Sequence, residues 1–133
     1  MKIKRITFCN PREVTNPGED SRSFLYHFSC VDAAVVGAPE EARVTTEHRL
    51  IVTIANNRLP AWKLTDADLI KVLFEIGRRK VIEKVKEGSL QQEERVMVNT
   101  GTHSAICPFD PTCIKEPDGA VFEVTEKGRI GFK

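Results

Sequence analysis

Residues 65–87, TDADLIKVLFEIGRRKVIEKVKE, form the stretch around which the rest of the chain is organised. Thr65 suits a helix N-cap, because its hydroxyl can accept from the amide of Asp68, and Gly88 suits the left-handed position after the last turn. Apolar side chains recur at helical spacing, and charged side chains occupy the opposite side. The predicted apolar face consists of Leu69, Ile70, Leu73, Phe74, Gly77, Val81 and Val85, opposite Asp68, Lys71, Glu75, Arg79, Glu83 and Lys86. The sequence therefore predicts one amphipathic helix, which needs a sheet or a partner helix to cover it.

Gly77 interrupts the apolar face of this predicted helix. Glycine in a helix interior costs roughly 1 kcal/mol relative to alanine. Its place in the middle of the apolar face predicts close approach by another backbone.

The remainder of the chain predicts strands. They are expected at 2–9, 23–31, 43–55, 95–100, 120–125 and 129–132, with Asn10-Pro11 ending the first one. In the third strand, Leu50, Val52 and Ile54 are apolar on one face and the other face turns apolar at Ile51, which predicts cover of residues 50–54 on both faces of the sheet. We expect a single α+β domain over residues 1–133. In this domain a mainly antiparallel, twisted sheet of about six to seven strands packs on the long central helix. A sheet that curls towards a barrel is the alternative.

Composition excludes some classes of protein. The chain is 41% hydrophobic and 29% charged, with a net charge of +1, so no overall field attracts nucleic acid or an anionic membrane. It has no apolar run near the length of a membrane span, and its charged first residues precede no apolar stretch of a signal peptide. We predict a soluble cytoplasmic protein whose four cysteines are thiols or ligands rather than a disulfide framework.

Three residues of an irregular segment are candidate ligands. His103, Cys107 and Cys113 fall within eleven residues, and imidazole and thiolate are the usual ligands of zinc. A fourth ligand would have to come from a strand. The residues available for it are Cys9, Cys30, His27 and His48. The alternatives are a Cys107–Cys113 disulfide, or two buried thiols beside a loop histidine.

The same segment is a candidate catalytic site. His103 follows Asn99-Thr100-Gly101-Thr102, and it would act as a general base for Cys107 as nucleophile if the two side chains meet. The small hydroxyl residues suit a plain turn equally well.

Other residues have a structural and a functional interpretation. Alternation places His48 on the apolar face of its strand, where a hydrogen-bonded core or rim residue is expected, and His27 on the mixed face of another strand. Trp62 is expected to cap the core rather than to anchor a partner. A basic stripe for phosphate would need Lys2, Lys4, Arg5, Arg78, Arg79, Lys80, Lys84 and Lys86, but glutamates are interleaved with it. A solvated helix face explains these charges as well.

Three functions are therefore compared. The favoured hypothesis is a small non-enzymatic binding or accessory domain that forms a homo-oligomer, because a short terminal meander leaves a sheet edge open to pairing. Its partner would be a second copy, another protein or a small ligand. The alternative is a metal-dependent or Cys/His-based enzyme that uses residues 103–113. The third is a nucleic-acid binder that uses the basic half of the helix.

Overall fold

A computed structural model describes residues 3–32, 44–98, 114, 116–124 and 130–132 of the chain. Their order of strands and helices confirms the predicted α+β class. In chain order the elements are β1 (Ile3–Glu13), β2 (Ser21–Asp32), β3 (Val44–Ala55), a 3₁₀ turn (Asn56–Arg58), α1 (Leu59–Trp62), α2 (Asp66–Glu87), β4 (Glu93–Val98), β5 (Val121–Val124) and β6 (Ile130–Phe132).

The strands form one open, mixed sheet in the order β4-β3-β2-β1-β5-β6. Strands β1, β2 and β3 are antiparallel neighbours, and β5 and β6 extend the sheet beyond β1. β4 is parallel to β3, because α2 carries the chain back along the sheet before β4 begins. The described chain thus has five strands of four residues or more and the three-residue β6. The predicted curling towards a barrel is wrong for these residues, since β4 and β6 lie at opposite edges.

The central helix begins and ends where the sequence predicts. Thr65 is the N-cap, and its Oγ1 accepts from the amide of Asp68 at 3.2 Å. Gly88 has a φ of 72°, and the amide of Ser89 donates to the carbonyl of Lys84 at 3.0 Å. Both helix ends therefore satisfy backbone groups that would otherwise lack partners.

The core lies between α2 and one face of the sheet, which we call the inner face. Phe8 is at its centre, with ring centroids 5.1 Å from Phe28, 5.0 Å from Phe74 and 5.7 Å from Phe122. The inner face includes Ile6, Phe8, Glu13, Arg22, Phe24, Tyr26, Phe28, Cys30, Thr46, His48, Leu50, Val52, Ile54, Glu94, Val96, Val98 and Phe122. Trp62 is buried in the same core, which confirms its predicted capping role.

Gly77 lets α2 approach the sheet closely. A Cβ built at Gly77 would lie 2.7 Å from Val52 Cγ2 and 2.8 Å from Leu50 Cδ2, which is too close for unshifted carbon atoms. The predicted close approach is therefore confirmed, but the neighbours are side chains of β3 rather than another backbone.

Two polar contacts fasten α2 to the sheet. The hydroxyl of Tyr26 donates to the carbonyl of Ile70 at 2.5 Å, and burial raises the pKa of this phenol well above its usual range. Arg22 donates to Glu13 through Nε at 3.0 Å and Nη2 at 2.7 Å, and to Asp66 Oδ1 through Nη1 at 3.1 Å. Hydrogen bonds from Arg22 and then Thr15 lower the pKa of Glu13 to about 2. These contacts join the first turns of the helix to β1 and β2.

Strand β1 does not end at Asn10-Pro11 as the sequence predicts. The register shifts between Cys9, which is opposite His27, and Arg12, which is opposite Leu25. Asn10 has a φ of 55°, and its amide donates to Asp118 Oδ1 at 3.2 Å. Proline is tolerated here because a bulge leaves its residues outside the ladder of backbone hydrogen bonds. The strand therefore continues to Glu13, and Arg12 returns to the same face as Cys9.

Candidate functional site

The candidate catalytic and zinc-binding residues His103, Cys107 and Cys113 lie outside the described residues, so their convergence stays a prediction. The residues proposed for a fourth ligand are described, and they are on different faces of the sheet. Cys30 and His48 are on the inner face, whereas Cys9 and His27 are on the opposite face. In the described ranges, no group of three or more His, Cys, Asp or Glu side chains is arranged to hold a metal ion.

His48 is a hydrogen-bonded residue at the rim of the core, as the sequence predicts. Its Nδ1 lies 3.0 Å from the carbonyl oxygen of Gln91, and its Nε2 lies 2.8 Å from Thr46 Oγ1. Because a carbonyl only accepts, Nδ1 carries the proton and Nε2 is left to accept from the threonine in the neutral ring. The ring also stacks on Phe28 at 5.1 Å. The Nδ1 contact thus holds the loop before β4 against β3, whereas the Nε2 contact stays within β3.

Cys30 is a buried, free thiol beside this histidine. Burial, with a smaller contribution from the negative charge of Glu47, raises the pKa of Cys30 to about 12. The thiol is therefore neutral at ordinary pH, and a neutral thiol is a poor nucleophile and a poor metal ligand.

The basic half of α2 is partly neutralised within the chain. Glu75, which the sequence predicts on the solvated face, is only 4% exposed. Arg78 donates to Glu75 through Nε at 2.7 Å and through Nη2, and Arg79 Nε lies 3.5 Å from Glu75 Oε1. Arg78 also lies 5.3 Å from the ring centroid of Phe122. The prediction for Glu75 is wrong because its carboxylate is held between Arg78, which itself packs on the ring of Phe122, and Arg79.

The opposite face of the sheet, which we call the outer face, carries the side chains that alternate with those of the inner face. It consists of Arg5, Thr7, Cys9, Arg12, Ser23, Leu25, His27, Ser29, Val31, Thr45, Glu47, Arg49, Ile51, Thr53, Ala55, Glu93, Arg95, Met97, Val121 and Glu123. Most of them are half-buried or exposed, and α2 packs on the other side. None of the helices described for this chain covers the outer face.

An apolar pair crosses the outer face between two arginines. Leu25 is opposite Ile51, with Arg12 beside Leu25 on β1 and Arg95 beside Ile51 on β4. Met97, opposite Thr53, is 62% exposed and is the large hydrophobic side chain most open to solvent in the described part of the chain. Ile51 and Thr53 remain half-buried, although the sequence predicts cover on both faces of this strand.

Most charges of the outer face form ion pairs within it. Arg5 lies 3.4 Å from Glu123, Arg49 lies 3.5 Å from Glu93, and Arg95 lies 2.9 Å from Glu93. Among the described residues of this face, the exposed side chains of Arg12 and Glu47 form no ion pair. Among the described residues, one positive and one negative side chain of this face thus have no ion-pair partner.

Cys9 and His27 form a cross-strand pair that the sequence did not indicate. They are opposite each other between β1 and β2, next to the bulge at Asn10, and Cys9 is exposed. Directly opposite residues of antiparallel strands have Cβ atoms about 5 Å apart. The alternation of each strand gave the face of each side chain, but only the register between the strands brings the two together.

No helix in the described part of the chain is long and apolar enough to cross a membrane. No protein-family model matches this chain, and no curated protein or solved structure is significantly similar to it.

Proposed function

We propose that this chain is a non-enzymatic protein-binding domain that self-associates through the outer face of its sheet. The observation that carries the proposal is the combination of a covered inner face with an outer face that holds a half-buried isoleucine next to the buried Leu25, arginines and an exposed methionine. Arginine and methionine are enriched at protein interfaces relative to other surfaces, and small apolar clusters form their centres.

The size of the outer face suits a protein partner. At about 3.3 Å per residue and 4.8 Å between strands, the five longer strands cover roughly 700 Å². A standard interface buries about 800 Å² on each partner. A small ligand would leave most of such a broad surface in water, whereas another folded protein would cover it.

The charges of the outer face favour a protein over a nucleic acid. Arginines and glutamates are mixed on it, and three of the four arginines already contact a glutamate of the same face. A polyanion needs cations that are open to phosphate. The arginines of α2 are engaged with Glu75, which weakens the alternative of a nucleic-acid binder on that helix.

Two reactive groups of the inner face favour binding over catalysis. Both nitrogens of His48 have hydrogen-bond partners within the fold, and the thiol of Cys30 is buried and neutral. The residues of the enzymatic alternative, 103–113, lie outside the described part of the chain.

The experiment that tests this proposal places a bulky charge in the middle of the outer face. Ser29 is half-buried, between Thr7 on β1 and Glu47 on β3. We expect the wild-type protein to form a concentration-dependent oligomer in sedimentation velocity and light scattering, and Ser29→Arg to shift it towards the monomer. The control is Ala67→Arg, an exposed position on α2, which should leave the association unchanged. A wild-type protein that is monomeric at every concentration, or equal behaviour of both variants, would contradict the proposal.

A further inference from the structure

We infer that the partner is a second copy of this chain. The two copies pack outer face to outer face about a two-fold axis that passes over His27, and Arg12 of each copy lies opposite Glu47 of the other. This inference rests on the proposed function, and it specifies the partner and its orientation. Its basis is the placement of the two charges that form no ion pair among the described residues.

Arg12 and Glu47 lie symmetrically about His27. His27 is on β2, the strand between β1, which carries Arg12, and β3, which carries Glu47. Arg12 is level with Leu25, two residues before His27, and Glu47 is level with Ser29, two residues after it. At the usual strand spacings, the two charges are roughly 16 Å apart on one diagonal, with His27 at its middle.

A two-fold axis parallel to the sheet exchanges the two ends of that diagonal. An interface of this kind is self-complementary, so that if residue i contacts residue j of the partner, residue j also contacts residue i. With the axis over His27 and perpendicular to the diagonal, both Arg12–Glu47 pairs form at once. Facing sheets pack about 10 Å apart, which long arginine and glutamate side chains span.

The same arrangement uses the apolar part of the face. The strands of the two copies would cross at about 70°, nearer to the orthogonal class of sheet packing than to the aligned class. Ile51, which is half-buried, lies opposite the buried Leu25 and two residues along the strands from the row of His27. Its open side would therefore be near the centre of the interface, where water is excluded. A partner of one dominant charge would satisfy only one of the two open charges, whereas an identical face satisfies both.

The test is a charge exchange. Arg12→Glu places two glutamates opposite each other at both symmetry-related positions, and Glu47→Arg does the same with arginines. We expect each single variant to weaken self-association at least tenfold in sedimentation equilibrium, because like charges meet twice in each dimer. The double variant should restore the dissociation constant to within a few-fold of wild type.

Matched controls come from exposed charges of α2. Lys86→Glu and Glu83→Arg, alone and together, change the net charge by the same amounts outside the outer face, and they should leave association unchanged. Thermal melts check that every variant folds, which we expect because both sites are exposed.

The outcomes separate the two proposals. If the wild-type protein is monomeric, both are overturned. If Ser29→Arg disrupts association but the double charge exchange behaves as the sum of its single variants, the outer face is the interface and the arrangement about His27 is wrong. If association is weakened in each single variant and restored in the double variant, the arrangement about His27 is supported.

Discussion

The two faces of the same sheet differ in how their polar groups are used. On the inner face, the Tyr26 hydroxyl is bound to the carbonyl of Ile70, and both ring nitrogens of His48 have partners. On the outer face, Arg12 and Glu47 are exposed and form no ion pair among the described residues. Both faces come from the same strands, since successive side chains point to opposite sides.

This difference shows which part of the molecule serves the fold and which part remains available. An unpaired polar group costs free energy only when it is buried, so the inner face tolerates none, whereas the outer face can keep open charges in water. The fold therefore depends on inner-face contacts, and substitutions on the outer face should change association more than the free energy of unfolding. Four substitutions test how much the inner-face contacts contribute to the free energy of unfolding.

Phe8→Ala should lower the free energy of unfolding more than the other three substitutions. Phe8 is 1% exposed and contacts three other aromatic rings, so we expect a loss of about 3–5 kcal/mol in the free energy of unfolding, measured by urea denaturation. Its neighbour Thr7 is on the outer face, and Thr7→Ala should cost no more than about 0.5 kcal/mol. Equal costs at the two positions would contradict the assignment of faces.

Gly77→Ala tests how closely α2 approaches the inner face. Alanine favours the helix by up to about 1 kcal/mol, but its Cβ meets Val52 and Leu50, and overpacking costs about 1–3 kcal/mol. We expect a net destabilisation of about 1 kcal/mol in urea denaturation. In a Val52→Ala background the contact with Val52 is gone while the one with Leu50 Cδ2 at 2.8 Å remains, so the same substitution should cost less. A cost that is the same in both backgrounds would argue against the contact.

Tyr26→Phe removes one hydrogen bond between the sheet and α2. The lost hydrogen bond to the carbonyl of Ile70 should lower the free energy of unfolding by about 1 kcal/mol at neutral pH. Because burial raises the pKa of Tyr26, the wild-type protein should also lose stability as the pH rises above about 10, where the unfolded phenol ionises. The variant should lose less over that range. If the free energy of unfolding falls equally in both proteins as the pH rises above about 10, this phenol is not responsible for the loss.

Glu13→Gln should have the smallest effect of the four. The pKa of Glu13 is lowered from 4.5 to about 2, so its carboxylate stabilises the fold above the unfolded pKa, and this stability is lost as the pH falls from about 5 to about 2. Because its side chain is 38% exposed, we expect a loss of only about 0.5 kcal/mol at pH 7. Glu83→Gln, on the exposed side of α2, is the matched control. Unfolding measured between pH 2 and 7 should show a flatter acid limb for Glu13→Gln alone.

The candidate site was less predictable than the elements that carry it. Alternation placed His48 on the apolar face of β3 and His27 on the mixed face of β2, and residues 50–54 predicted cover on both sides. The bulge that returns Arg12 to the outer face was not predicted, because Asn10-Pro11 is equally typical of a strand end. The pairing of Cys9 with His27 and the symmetric placement of Arg12 and Glu47 depend on register, which single strands do not encode.

What the sequence determined by itself is local. Caps and periodicity set the bounds of α2, and alternation set the faces of β2 and β3. What the tertiary structure decided is the place of β4 parallel to β3, the burial of Glu75 and the two open charges of the outer face. The physical reason is range: caps and alternation act over a few residues, whereas strand order and register come from contacts between residues far apart in the chain.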